Sequence, residues 1–208
     1  QEQIAQNLGY KNRGNTLSVE RFMKRFYLIV KDVGSLTRLF CTELDNYNDV
    51  QPIYSSSTYD RDWKGFELKH RQVFYNKNIT DGKNEQVNPI IILKIFEFAQ
   101  NRNLNIHPST IYSIINSKRT ISEFENKKEL YNIFVGILLS SHNSEKYLRL
   151  MNECGVLGKL FPDFQKIVGL MQYNIYHHYT VDEHILRSIG FLHKLEKGDL
   201  REIAPIAS

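Results

Sequence analysis

The amino-acid sequence predicts a mainly α fold: a helical bundle with at most a small β-hairpin element. Three observations point there. Apolar residues between Ser18 and Leu44 recur at steps of three and four, the spacing of one helix face. From Asn88 onward, start signals and apolar runs follow one another in helix-sized blocks. Only Phe66 to Phe74 alternates, roughly, as a half-buried strand does.

Residues 1–16 carry Gly9 and Gly14 among polar side chains and read as an entry strap or linker. Ser18 is the expected N-cap of the first long helix, with Arg21 rather than a glutamate at the third helical position. Its stripe of Phe22, Phe26, Ile29, Val30, Val33, Leu36, Leu39 and Phe40 is expected to pack in the core. Asp45 to Lys64 is polar and reads as a loop, and Phe66 to Phe74 as a short strand or hairpin arm. Ile79 to Val87 is a turn-rich connection around Asp81-Gly82. Asn88-Pro89 starts a helix with proline at the first helical position. The run from Ile90 to Ala99 is apolar nearly all round, so this helix should be central. His107-Pro108-Ser109 opens the next helix, to about Asn116. Glu125 to Ser140 forms another, with a buried-looking end from Phe134 to Leu139. Asn143 or Ser144 caps a helix that runs to Cys154, and Gly155 to Gly158 is a turn. Phe161-Pro162-Asp163 leads into a helix through Met171, and a last helix covers Tyr179 to Leu195.

Composition narrows the class. The chain has 208 residues, 41% of them apolar and 24% charged, which suits a globule with a real core. Its 27 Lys and Arg against 23 Asp and Glu leave a net charge of +4, which permits an acidic partner without demanding nucleic acid. Cys41 and Cys154 lie far apart and form no metal-type pair, so a reduced, cytoplasmic setting is the default. No apolar run approaches the roughly 20 residues that span a bilayer, and no signal-peptide pattern is present, so no membrane partner is expected.

The chemistry concentrates near the end. There is no glycine-rich phosphate loop followed by Lys and Ser or Thr, and no Gly-x-Ser-x-Gly elbow. Asp60-Arg61-Asp62 has the look of a paired-carboxylate motif but lacks the preceding strand and Gly-Ser turn, so it reads as a solvated loop. His177 and His178 are adjacent and point different ways on any regular element. His70, His107, His142 and His193 are scattered and read as surface or capping residues. His184 differs through its neighbours. Asp182 and Glu183 precede it in the first helical turn, where the helix dipole favours negative charge. Thr180 and Glu183 have capping-box spacing, which explains both of them but not His184. Spacing alone leaves a metal role for His184 open without favouring it. Metal binding needs several converging donors, and none with suitable spacing follows before Ser208. With Gln1 rather than Met at the start, the expectation is a piece of an enzyme containing one corner of an active site.

The residues then resemble a family. Gly155 to Phe164, Ile167 to Gly169, Met171-Gln172 and above all Tyr179 to His184 resemble the bifunctional PII uridylyltransferase/uridylyl-removing enzymes of bacterial nitrogen control. Val19 to Tyr27, Val30 to Val33 and Leu36 to Arg38 resemble the helix that follows the nucleotidyltransferase head of those enzymes, and Leu8 to Tyr10 fits the same junction. The helical middle, Asn88 to Phe164, is also similar to the domains behind the catalytic head in tRNA nucleotidyltransferases and poly(A) polymerases. The resemblance implies a head that transfers UMP from UTP to a tyrosine of the PII signal protein. It further implies an HD-type phosphohydrolase that removes the UMP with a divalent metal, Mg2+ or another, and C-terminal domains that sense glutamine. On this reading residues 1–16 are a linker from the head, 17–172 the helical linker domain and 173–208 the start of the HD domain. His184 would be the first metal-ligand histidine, and the segment alone would be inactive. Apolar faces turned toward further domains would stand exposed. The alternative is an RNA-binding helical domain of a tRNA nucleotidyltransferase-like protein, with Lys11-Arg13, Lys118-Arg119 and Lys127-Lys128 as the basic candidates.

Overall fold

A computed structural model of the protein describes residues 1–48, 66–69, 71–75, 88–117, 127–171 and 179–202. The expected connection over 79–87, Asp60-Arg61-Asp62, His70, Lys118-Arg119 and His177-His178 lie outside these residues. Two compact units emerge, one from Gln1–Arg38 with Phe161–Ser208, the other from Leu39–Leu160. The mainly α expectation holds, with one small sheet among the described residues.

The first unit opens with helix α1 (Glu2–Asn7), where the sequence reading has a bare strap. Ala5 anchors it in a core with Val19 and Met23, and Tyr10, Phe22, Tyr27 and Met171 pack around them. Helix α2 (Ser18–Asn48) starts one residue away from the expected cap and runs past Leu44 into the expected loop. The Leu17 amide donates to Glu20 Oε2 at 3.0 Å, and the Ser18 amide to Asn12 Oδ1 at 2.7 Å. Glu20 thus supplies the carboxylate that the expected register lacked.

The apolar stripe of α2 departs from expectation. Phe22 packs against the core, but Phe26, Ile29, Val30, Val33, Leu36, Phe40 and Leu44 are exposed, Phe40 by 66%. The physical reason is extent. Among the described residues, the first unit's core takes Val19, Phe22, Met23 and Tyr27 from the opening turns of α2, while periodicity marks an apolar face without supplying its partner.

The second unit is built around helix α3 (Pro89–Asn101), capped by Asn88 Oδ1, which accepts from the Ile90 amide at 2.9 Å. Leu93, Ile95, Phe96 and Ala99 are fully buried, so α3 is central as its all-round apolar sequence requires. Strands β1 (Phe66–Lys69) and β2 (Gln72–Tyr75) form the antiparallel hairpin, with Leu68 opposite Val73. A third strand, β3 (Asn105–Ile106), runs parallel to β2. Its two residues are too few to announce a strand in sequence; pairing with β2 creates it. Helix α4 (Pro108–Ile115) begins at His107, whose Nδ1 accepts from the Ser109 amide at 3.2 Å.

Helix α5 (Lys127–Leu139) packs on α3, but its end is less buried than expected: Ile137 is buried whereas Val135 and Leu139 are exposed. Helix α6 (Ser144–Glu153) is capped by Asn143 and lies on α3 and α5. Gly155 turns the chain at φ +73°, and α7 (Val156–Leu160) follows at once, where the sequence suggests only a turn. Back in the first unit, α8 (Pro162–Ile167) stops short of the expected Met171. Helix α9 (Val181–Glu196) closes the described chain. Among the described residues no helix is long and apolar enough to cross a membrane.

Candidate functional site

Helix α9 carries the candidate residue. Its buried face is Asp182, Leu186 and Gly190, at steps of four. That periodicity turns His184 outward, because residues two apart on a helix point about 200° away from each other. His184 is exposed. Its amide donates to Thr180 O at 2.9 Å, and its carbonyl accepts from Ser188 Oγ at 2.9 Å.

The first turn is not held as the capping-box spacing suggests. Thr180 occupies the N-cap position, yet its side chain makes no cap hydrogen bond. Glu183 Oε1 instead accepts from Arg187 Nε at 3.0 Å, one turn along the helix. The Arg187 guanidinium lies 4.1 Å from the Tyr179 ring centroid, linking Tyr179, Glu183 and Arg187 along the helix surface.

The anchor comes from elsewhere in the unit. Asp182 is 5% exposed, and its Oδ1 accepts from the Gly169 amide at 3.1 Å. The adjoining Val181 amide donates to Leu170 O at 2.8 Å. Gly169 sits at φ +67°, and a Cβ there would meet the Leu28 side chain of α2 at 3.4 Å. Lys24 of α2 donates through Nζ to Lys166 O at 2.9 Å, just ahead of that turn. Asp182 therefore has a role that sequence reasoning missed, because the helix dipole already explained an acid in the first turn. The available signal was its place at i, i+4 and i+8 with Leu186 and Gly190, which puts a carboxylate on the inward face.

Chemically, the site offers an accessible imidazole beside two engaged carboxylates. A divalent ion needs several converging donors. Among the described residues no group of three His, Cys, Asp or Glu side chains converges. The donor type of His184 suits a metal, but the described residues alone do not hold one. His107 is a helix cap as expected, and His142 is exposed, with its amide donating to Ser140 Oγ at 3.2 Å. His193 is half-buried and its carbonyl accepts from the Lys197 amide at 3.1 Å. Of the basic candidates, Lys11 and Arg13 stand exposed in the first unit, and Lys127 and Lys128 in the second.

Comparison with known proteins gives two family matches. Residues 78–160 match the family described as Uridylyltransferase GlnD third domain. Residues 1–41 match the one described as GlnD PII-uridylyltransferase. The chain is also similar to the bifunctional uridylyltransferase/uridylyl-removing enzyme of Azospirillum brasilense, at 35% identity over 214 residues, covering 100% of this chain and 22% of that relative. The chain thus spans under a quarter of the length of the curated relative it matches. No solved structure matches it.

Proposed function

The chain belongs to the family of bifunctional uridylyltransferase/uridylyl-removing enzymes, and from that premise we propose that it is their interdomain helical module together with the first helix of the HD phosphohydrolase. The enzyme transfers UMP from UTP to the PII signal protein and removes it by hydrolysis, in response to glutamine, in the cytoplasm. Residues 1–16 join the head to the module, 17–172 form the module and 173–208 open the hydrolase. The module alone neither transfers nor removes UMP.

The observation that carries the hydrolase assignment is the outward presentation of His184 from a helix whose neighbouring Asp182 is turned inward. An imidazole so placed is available as one ligand of a divalent metal, Mg2+ or another, with the other ligands supplied outside the described residues. Such an ion, when bound, polarises a phosphoryl oxygen and activates water. The chain's own part is to hold the imidazole outward and keep Asp182 and Glu183 engaged in protein contacts.

The test is His184→Ala in the full-length enzyme. Release of UMP from uridylylated PII should fall by about 100-fold or more, the usual scale for losing a ligand of a catalytic ion. Transfer from UTP should be retained. Undiminished release would remove His184 from the hydrolase and with it this assignment.

A further inference from the structure

We propose that Asp182 is a positioning residue, which fixes the direction of the His184 imidazole by clamping the first turn of α9 to the Val168–Leu170 turn. The proposal rests on the hydrolase reading of His184 above.

The argument begins with an anomaly of burial. A carboxylate in the first turn of a helix is normally solvated, and removing one from water is costly unless hydrogen bonds replace the lost hydration. Asp182 is nevertheless 5% exposed. Its Oδ1 takes the Gly169 amide at 3.1 Å, a charge-assisted bond of the stronger kind. One residue away, the Val181 amide donates to Leu170 O at 2.8 Å. Two bonds of opposite direction thus join residues 169–170 to residues 181–182. A pair of this kind fixes rotation as well as distance, which one bond cannot do. The Thr180 side chain makes no cap hydrogen bond to this turn. The first turn of α9 is thus tied to a tertiary contact through Val181 and Asp182.

The receiving turn is itself held. Gly169 adopts φ +67°, a conformation side-chain-bearing residues rarely take, and its α-carbon faces Leu28 of α2. The Leu170 amide donates to Ile167 O at 3.0 Å, and Lys24 Nζ donates to Lys166 O at 2.9 Å. The path from α2 to His184 therefore runs through packed and hydrogen-bonded groups of one unit: Lys24 and Leu28, the Gly169 turn, Asp182, and then two residues along a rigid helix. With Asp182 turned inward, His184 must point about 200° away, toward solvent.

The test compares Asp182→Ala with Asp182→Asn in the full-length enzyme. Asparagine keeps an acceptor oxygen and the side-chain shape; alanine keeps neither. Residue-resolved amide exchange should show Gly169 and the amides from Val181 to Ile185 opening about 10-fold faster or more in Asp182→Ala, with the α3 amides unchanged. UMP release should fall by about 10- to 100-fold, the range seen when a residue that orients a ligand is lost. Transfer from UTP should be unaffected. Asp182→Asn should restore most of both exchange protection and release. Unchanged exchange at Gly169, unchanged release, or failure of Asp182→Asn to rescue would each overturn the proposal. Its failure is separable from that of the parent reading. If His184→Ala abolishes release while Asp182→Ala does not, only the positioning role falls; if His184→Ala leaves release intact, the hydrolase reading falls.

Discussion

Gly169 shows how much one backbone conformation decides at the residue scale. Its φ of +67° lets the turn after α8 present an amide to Asp182. A Cβ there would touch Leu28 at 3.4 Å, so crowding is slight and the penalty is mainly conformational. Gly169→Ala should destabilise the chain by about 1–2 kcal/mol, the cost of left-handed backbone for a residue with a Cβ. A urea titration measures it, and an unchanged midpoint would show that the turn relaxes to another conformation. Glu97 on α3 gives a pH-dependent counterpart. Burial raises its pKa from 4.5, and Lys94 partly opposes this. A raised folded-state value means the native chain keeps a proton that the unfolded chain has already released. Stability contributed by neutral Glu97 is complete below about pH 4.5 and declines as pH rises through the folded-state value. Across that window the urea midpoint of the parent chain should fall relative to that of Glu97→Gln. A gap that stays constant with pH would refute the burial effect.

Elements were legible in proportion to how much of their cause was local. Helix α3 announces itself through Asn88-Pro89 and an all-round apolar run, and both features act in the structure as they read. Alternation over Phe66 to Phe74 signals extended chain but reads as one strand or hairpin arm, whereas the stretch holds both arms of the β1–β2 hairpin. Strand β3 is invisible because pairing with β2, not local preference, makes it extended. Helix α7 hides behind Gly155 and Gly158: the first is a left-handed turn, while the second is buried inside the helix. In α2 the face is legible and its surroundings are not, since spacing cannot say what lies opposite Leu36 or Phe40. The same distinction holds at the candidate site, where spacing puts Asp182 on the face of Leu186 and Gly190 but does not name its partner, the Gly169 amide. Between elements, Tyr147 of α6 ties that helix to the end of α3 in the second unit's core. It is 1% exposed, and its hydroxyl shares one hydrogen between Ala99 O and Leu104 O, each at 2.9 Å. These carbonyls sit at and just past the end of α3, where Ala99 O also accepts the Leu104 amide at 2.8 Å, so the hydroxyl adds a second donor to that turn. Tyr147→Phe should cost about 1 kcal/mol, the usual net worth of such a bond. A chemical-denaturation midpoint that does not move would show that water replaces the hydroxyl.

At the scale of the whole molecule, the two ends of the chain are partners in one unit. Gln1–Arg38 and Phe161–Ser208 share it, while the intervening chain builds its own core around α3. The family matches follow a related division, since the third-domain match ends at residue 160 and the other covers residues 1–41. A noncontiguous unit has a specific weakness: a defect in its first segment must loosen its last. Met23 is 5% exposed in the core with Ala5 and Val19, and Met171 packs against that core from the far end of the sequence. Met23→Ala should therefore cost about 2–5 kcal/mol, the range for a buried methionine truncation. Its local consequence is more telling than its size. Amide protection should fall in residues 19–28 and in residues 168–171 and 179–190 together, with a smaller change in α3 and α6, because local opening follows contiguous packing rather than sequence order. If protection fell only near Met23, the ends would not share a cooperative core. If it fell equally everywhere, the two units would open as one. The predicted pattern carries a functional consequence: a change in the opening turns of α2 would reach the helix that presents His184 without passing through the α3 core.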